Sequence, residues 1–216
     1  MPPFRHTPLF HAHLQSGAGI TEHYGWQIPA YFRQADEEHQ HLLNFAGLSD
    51  LSWMTKLDLK GYGVNTLPTD EIARTWCIGP QHYLVTCDPP RRDPVIANLL
   101  SFPASRDLAL PPPVYITDMT SVYAQFLVAG PRTREILHKL TSLNVYALEN
   151  LTCGQANLAH VRGIVLRDDL SGTPAFHVLV SREYGESVWE AVMHAGHEFH
   201  LKPFGLEALQ LLRGAV

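Results

Sequence analysis

Apolar and polar positions along this chain follow two rhythms, one helical and one extended. Residues 35–46 read ADEEHQHLLNFA, with Leu42, Leu43 and Ala46 on one side and Asp36, Glu37 and Glu38 at the front. Acids in a first turn meet the positive end of a helix dipole, so the segment predicts a helix, with Gly47 as its stop. Residues 56–60 alternate as a short strand. Residues 72–78 and 82–87 are extended runs on either side of Gly79-Pro80, which predicts a hairpin. A helix is predicted over 95–102, and Pro111-Pro112-Pro113 reads as a connector because proline continues neither regular structure.

Beyond that connector, 114–116 and 122–128 predict strands. Gly130-Pro131 ends the second and opens a helix in which Ile136, Leu137 and Leu140 recur at helical spacing. Residues 157–167 and 176–180 predict two more strands, and 184–195 a helix. Strands and helices in this order predict an α+β fold with antiparallel pairing, not a doubly wound βαβ repeat. Residues 1–216 read as one unit of two intertwined lobes, without an internal repeat or flexible linker.

Composition narrows the function classes. With 216 residues, 45% hydrophobic and 17% charged, the chain is long and apolar enough to bury a sizeable core. A net charge of -5 gives no basic face, so nucleic acid is not an expected partner. No apolar run approaches the roughly 20 residues that span a bilayer, so no membrane partner is expected. Three scattered cysteines without a C-x-x-C pair, behind a start that lacks a signal h-region, point to the cytoplasm.

The 13 histidines raise a metal hypothesis. His194, His197 and His200 form H-x-x-H-x-x-H, but on a helix the third rotates away and Gly196 ends the helix there, so no metal site is expected. His39 and His41 do not face one another on a helix, and His6, His11 and His13 fall in an irregular start. Asp118 and Asp168-Asp169 read as turn or capping residues, and Cys153 as an inert thiol.

Several motifs carry a resemblance. Thr7-Pro8-Leu9, Tyr24-Gly25-Trp26, Glu37-Glu38-His39 and Ala46-Gly47-Leu48 are followed by Asp50, Ser52, Met54 and Lys56. Ala129-Gly130-Pro131-Arg132, Trp189-Glu190-Ala191, Leu201-Lys202-Pro203 and Gly205-Leu206 with Arg213 follow in the same order. The set resembles the glycine-cleavage T-protein (aminomethyltransferase) family, whose members bind tetrahydrofolate. The resemblance implies a T-protein-like folate-binding scaffold with a ferredoxin-like lobe, lacking the family's C-terminal β-barrel domain. It implies a cofactor site using Met54, Tyr83, His177 and Arg213. Met54 and Tyr83, with Trp26, would supply flat apolar walls, and Arg213 would pair with a folate carboxylate. Core packing is the competing reading for Met54, Tyr83 and Trp26, and an unpartnered helix-end charge for Arg213.

Three departures separate the chain from that family. Its Gly-Gly-x-x-Asp-Asp stretch, which carries the catalytic aspartate, has no counterpart between Gly61 and Tyr83, where Asp70 and Glu71 read as a solvated turn. The pterin-binding glutamate of its Gly-Phe-Glu strand corresponds to His177 in Ala175-Phe176-His177, and imidazole cannot accept two parallel N–H bonds. The tyrosine of its Gly-Tyr-Thr-Gly turn corresponds to Leu170. Catalytic residues therefore stay unassigned, and whether the chain is an enzyme stays open. The implied function is folate (tetrahydrofolate) binding linked to one-carbon and glycine metabolism, without the full T-protein reaction. The middle, Leu67-Pro68 and Ile78-Gly79-Pro80-Gln81-His82-Tyr83-Leu84, is similar to the gamma subunit of sarcosine oxidase. That likeness implies the alternative, a non-catalytic structural subunit bound to another protein chain.

Overall fold

The computed structural model describes residues 3–61, 73–101 and 115–214. The chain divides into two compact units: residues 1–53 with 122–216, and residues 54–121 inserted between them.

The first unit opens with β1 (Arg5–His6), α1 (Phe10–Gln15), β2 (Gly19–His23), β3 (Trp26–Tyr31), α2 (Ala35–Asn44) and β4 (Gly47–Asp50). The start is therefore structured, with His13 buried on α1. Gly47 does not stop α2, which ends at Asn44 with Phe45 as its cap; it begins β4. A Cβ there would lie 2.6 Å from the Phe204 ring, so glycine is needed for packing and not for a helix cap.

In the second unit, β5 (Thr55–Lys60), β6 (Ala73–Gly79), β7 (His82–Cys87) and β8 (Tyr115–Asp118) form an antiparallel sheet in the order β6-β7-β5-β8. The hairpin around Gly79-Pro80 is present, with Gln81 rather than a glycine at positive φ. After a single turn at Pro89–Arg91 comes α3 (Arg92–Ser101). Its Val95, Ile96 and Leu99 pack on Leu57, Leu59, Val85 and Cys87. Asp70, Glu71 and the triple-proline connector lie outside the described residues.

The chain re-enters the first unit at β9 (Tyr123–Ala129) and α4 (Thr133–His138). The single strand expected over 157–167 is a hairpin of β10 (Cys153–Leu158) and β11 (Val161–Arg167). Its two-residue turn is Ala159-His160, both at positive φ. That conformation is normally written as Asn-Gly, so its usual residue signature is absent. Then come β12 (Ala175–Ser181), α5 (Gly185–Gly196), β13 (Lys202–Pro203) and α6 (Leu206–Arg213).

Six strands pair in the order β10-β11-β12-β9-β4-β13, antiparallel except for β13 on β4. β1, β3 and β2 form a smaller sheet on which α6 packs, and α6 also packs on α2. The pleat sends Leu48, Phe126, Val128, Phe176 and Val178 to one face of the large sheet, where Val188, Trp189 and Val192 of α5 complete the core.

Candidate functional site

The opposite pleat of the same strands carries Ser49 on β4, Gln125 on β9 and His177 on β12, interspersed with Leu127 and Leu179. All five are buried. Ser49, Leu127 and His177 lie side by side across three strands, since Leu127 is in register with both others. Gln125 reaches diagonally to His177, with its amide nitrogen 3.0 Å from the ring Nδ1. An amide nitrogen can only donate, so in this arrangement Nδ1 accepts and the ring proton sits on Nε2.

Hydrogen bonds link this polar strip to the apolar face. The Gln125 backbone N–H donates to Ser52 Oγ at 3.1 Å, and the Ser52 N–H donates to Asp50 Oδ1 at 2.9 Å. Asp50 Oδ2 lies 3.1 Å from His13 Nε2. Burial alone would raise the Asp50 carboxyl; His13's hydrogen bond and charge, with Ser52, outweigh it and hold the acid below its ordinary value. Asp50, Ser52, Gln125 and His177 thus form a connected buried network in which each member orients the next.

The four residues expected at a folate site fall into both units. In the second, Met54 directly precedes β5 and is buried, its carbonyl accepting the Lys56 ammonium at 2.8 Å. Tyr83 on β7 is in register with Leu59, near the other end of β5. Met54 and Tyr83 are therefore separated by roughly 16 Å of strand. Tyr83 is half-buried and packs on the Leu57–Leu59–Val85 cluster; burial, then the Cys77 thiol, push its phenol above the ordinary value. In the first unit, His177 sits at the centre of the polar strip, and Arg213 is the last residue of α6, half-buried.

Of the aspartates weighed in the sequence, Asp118 and Asp169 are held by arginines and Asp168 is buried. Asp118 accepts the Thr120 N–H at 2.9 Å and Arg92 Nε at 2.8 Å. Asp169 makes a two-point pair with Arg167, at 3.1 and 2.6 Å. Asp58 lies 2.5 Å from His82. Among the described residues, no group of three or more His, Cys, Asp or Glu is placed to hold a metal ion. None of their helices is long and apolar enough to cross a membrane.

Sequence reasoning missed His13, Gln125 and the fully buried Lys56 as members of polar networks. One signal was available for Gln125: it is the only polar residue in the run Ala124-Gln125-Phe126-Leu127-Val128-Ala129.

Comparison with known proteins fits this architecture. The aminomethyltransferase of Halothermothrix orenii is 27% identical over 236 residues, covering 96% of this chain and 64% of its own. That of Geobacillus kaustophilus is 28% identical over 231 residues, covering 97% and 63%. The chain thus spans a little under two thirds of these relatives. Glycine cleavage system aminomethyltransferase T from Bartonella henselae shares the fold, with a TM-score of 0.71 at 16% identity, over 97% of this chain and 62% of that one. A chain of heterotetrameric sarcosine oxidase from Corynebacterium sp. U-96, solved with pyrrole 2-carboxylate, shares it with a TM-score of 0.59 at 14% identity, over 90% and 96%. The GCVT N-terminal domain profile matches residues 69–214, more than half of the sequence, and the chain belongs to that family.

Proposed function

We propose that this chain is a tetrahydrofolate-binding domain of the aminomethyltransferase type, acting in the cytoplasm in one-carbon and glycine metabolism without completing aminomethyl transfer itself. The observation that carries the reading is its alignment, over 96% or more of its length, with proteins named aminomethyltransferase. Met54, Tyr83, His177 and Arg213 are the proposed contacts. His177, held by Gln125, is an imidazole where a carboxylate would offer two acceptor oxygens. That change lowers pterin discrimination and leaves Arg213 to anchor the ligand through a carboxylate. Incomplete catalysis is supported by the commitment of Asp118 and Asp169 to arginine pairs, which leaves neither available to move a proton.

The test is thermal unfolding with 5-formyltetrahydrofolate. A ligand at one hundred times its dissociation constant adds ~2.7 kcal/mol, or roughly 5–10 °C for a chain of this size. A saturable rise that disappears in Arg213→Ala supports the reading. No rise at millimolar ligand sinks it and favours the second reading, a structural subunit bound to another protein chain. One specific observation supports that alternative: the sarcosine oxidase chain is matched over 96% of its own length, so the two chains are similar in extent.

A further inference from the structure

The second unit carries a carboxylate–imidazole pair that the proposed function does not use. Leu57 and Leu59 of β5 face the α3 core, so Asp58 and Lys60 lie on the opposite pleat, and His82 of β7 is in register with Lys60. Asp58 Oδ1 lies 2.5 Å from His82 Nε2, and its Oδ2 lies 3.3 Å from the Lys60 ammonium. One carboxylate thus holds an imidazole and a cation side by side on neighbouring strands. Tyr115 of β8 is in register with Lys60 from the other side and is 65% exposed, so a phenol continues the same row.

The arrangement fixes which nitrogen of His82 can react. An ionised carboxylate only accepts, so the neutral ring carries its proton on Nε2 and its lone pair on Nδ1. Among the described residues Nδ1 has no partner, and the side chain is 31% exposed. His13 also sits against a carboxylate, Asp50, but its side chain is only 2% exposed. His160, His194 and His197 are exposed, yet none of them has a partner among the described residues to hold its tautomer. Of these five, only His82 combines a fixed lone pair with access to solvent.

We propose that His82 is a phosphoryl-acceptor site, modified at Nδ1 by a phosphoramidate-type (N–P) donor. The Nδ1 lone pair forms the new N–P bond as the donor's own P–N bond breaks. The donor nitrogen is already protonated, keeps the electron pair of that bond and leaves as a neutral amine, so nothing is oxidised or reduced. Positive charge arising on the ring is balanced by Asp58 across the Nε2–H bond, the part a carboxylate plays wherever it backs a nucleophilic or basic imidazole. Lys60, on a long flexible stem directly across from His82, supplies a charge-assisted donor to the phosphoryl oxygens. An acyl group on the same nitrogen would give that cation nothing to neutralise. None of Asp58, Lys60 and His82 is a proposed folate contact, and Tyr83, the next residue, faces the other pleat.

Potassium phosphoramidate is the probe, applied to the intact protein at mildly alkaline pH without folate and followed by phosphorus NMR and peptide mapping. His82 should be phosphorylated on Nδ1 about ten-fold faster than His160, His194 or His197. Asp58→Asn keeps an acceptor for the Nε2 proton but removes the charge. It should slow His82 about ten-fold and leave the three surface histidines unchanged. Lys60→Gln should slow His82 about three-fold. The proposal is overturned if His82 reacts no faster than those three, if the phosphoryl group is found on Nε2, or if Asp58→Asn reacts at the parental rate. The first two outcomes are read on the parent protein alone, so a variant that fails to fold leaves the test standing.

Discussion

On one face of the six-stranded sheet, Leu48, Phe126, Val128, Phe176 and Val178 meet the apolar side of α5, and Asp50 at the strand end is the polar exception. On the other face Ser49, Gln125 and His177 interrupt Leu127 and Leu179 at the same level of burial. Dryness alone therefore does not distinguish the two surfaces. Burying an amide and an imidazole costs free energy unless every polar atom is satisfied, whereas leucine at those positions would cost nothing of the kind. A surface that accepts that burden is shaped by something besides stability, and this is the face on which we place a ligand contact.

The largest break in the comparison comes from the apolar side. Phe176→Ala should remove about 4 kcal/mol of stability, because the surrounding helix and strands cannot close the void. Denaturant titration of the variant measures it, and a loss below about 1 kcal/mol would mean that this face is not the stabilising one.

Asp50→Asn probes the polar exception on that face. It should cost about 3 kcal/mol at neutral pH, because the buried His13 ring and the Ser52 N–H lose their charged acceptor. The native Asp50 carboxyl is held below its ordinary value, so its contribution is complete above the ordinary carboxyl range. It is lost as pH falls through the lowered native value. The parent should therefore destabilise in acid along a limb that Asp50→Asn flattens. Parallel acid limbs in both proteins would contradict the assignment.

The smallest expected change sharpens the contrast most. Gln125→Leu alone should cost about 1–3 kcal/mol, because His177 Nδ1 loses its donor in a dry site. Adding His177→Leu should bring stability back to within about 1 kcal/mol of the parent, since leucines suit a buried strand. The same double variant should lose any response to 5-formyltetrahydrofolate. If the double substitution is as costly as the sum of the two single ones, the polar strip is structural.

Local pattern made much of the fold legible. The acids at 36–38 ahead of Leu42 marked α2, and alternation marked β5, β7, β9 and β12 within about a residue. What escaped had no local cause. Ala159-His160 makes a tight turn without a turn signature, so β10 and β11 read as one strand. Gly47 looks like a helix stop in sequence, and only the Phe204 ring, 157 residues later, explains it. The proposed site was readable as a set of residue types, through resemblance, but not as an arrangement. Met54 and Tyr83 sit near opposite ends of one strand, and Gln125, which orients His177, lies 52 residues from it in the chain. Partners brought together by sheet register leave no trace in short-range periodicity.

The insertion of the second unit between Trp53 and Val122 also sets an order of events. β4 pairs only with β9 and β13, and both are encoded after the inserted unit. While the chain is being synthesised, β4 has no strand to join until residues 123–129 have emerged. By then all of the second unit has been made, and domains fold as they emerge from the N-terminal side. Its four strands can assemble while the larger sheet is still waiting for its centre. A pause or a chaperone acting near residue 121 would thus decide whether Leu48 and Asp50 meet β9 or remain an unpaired edge.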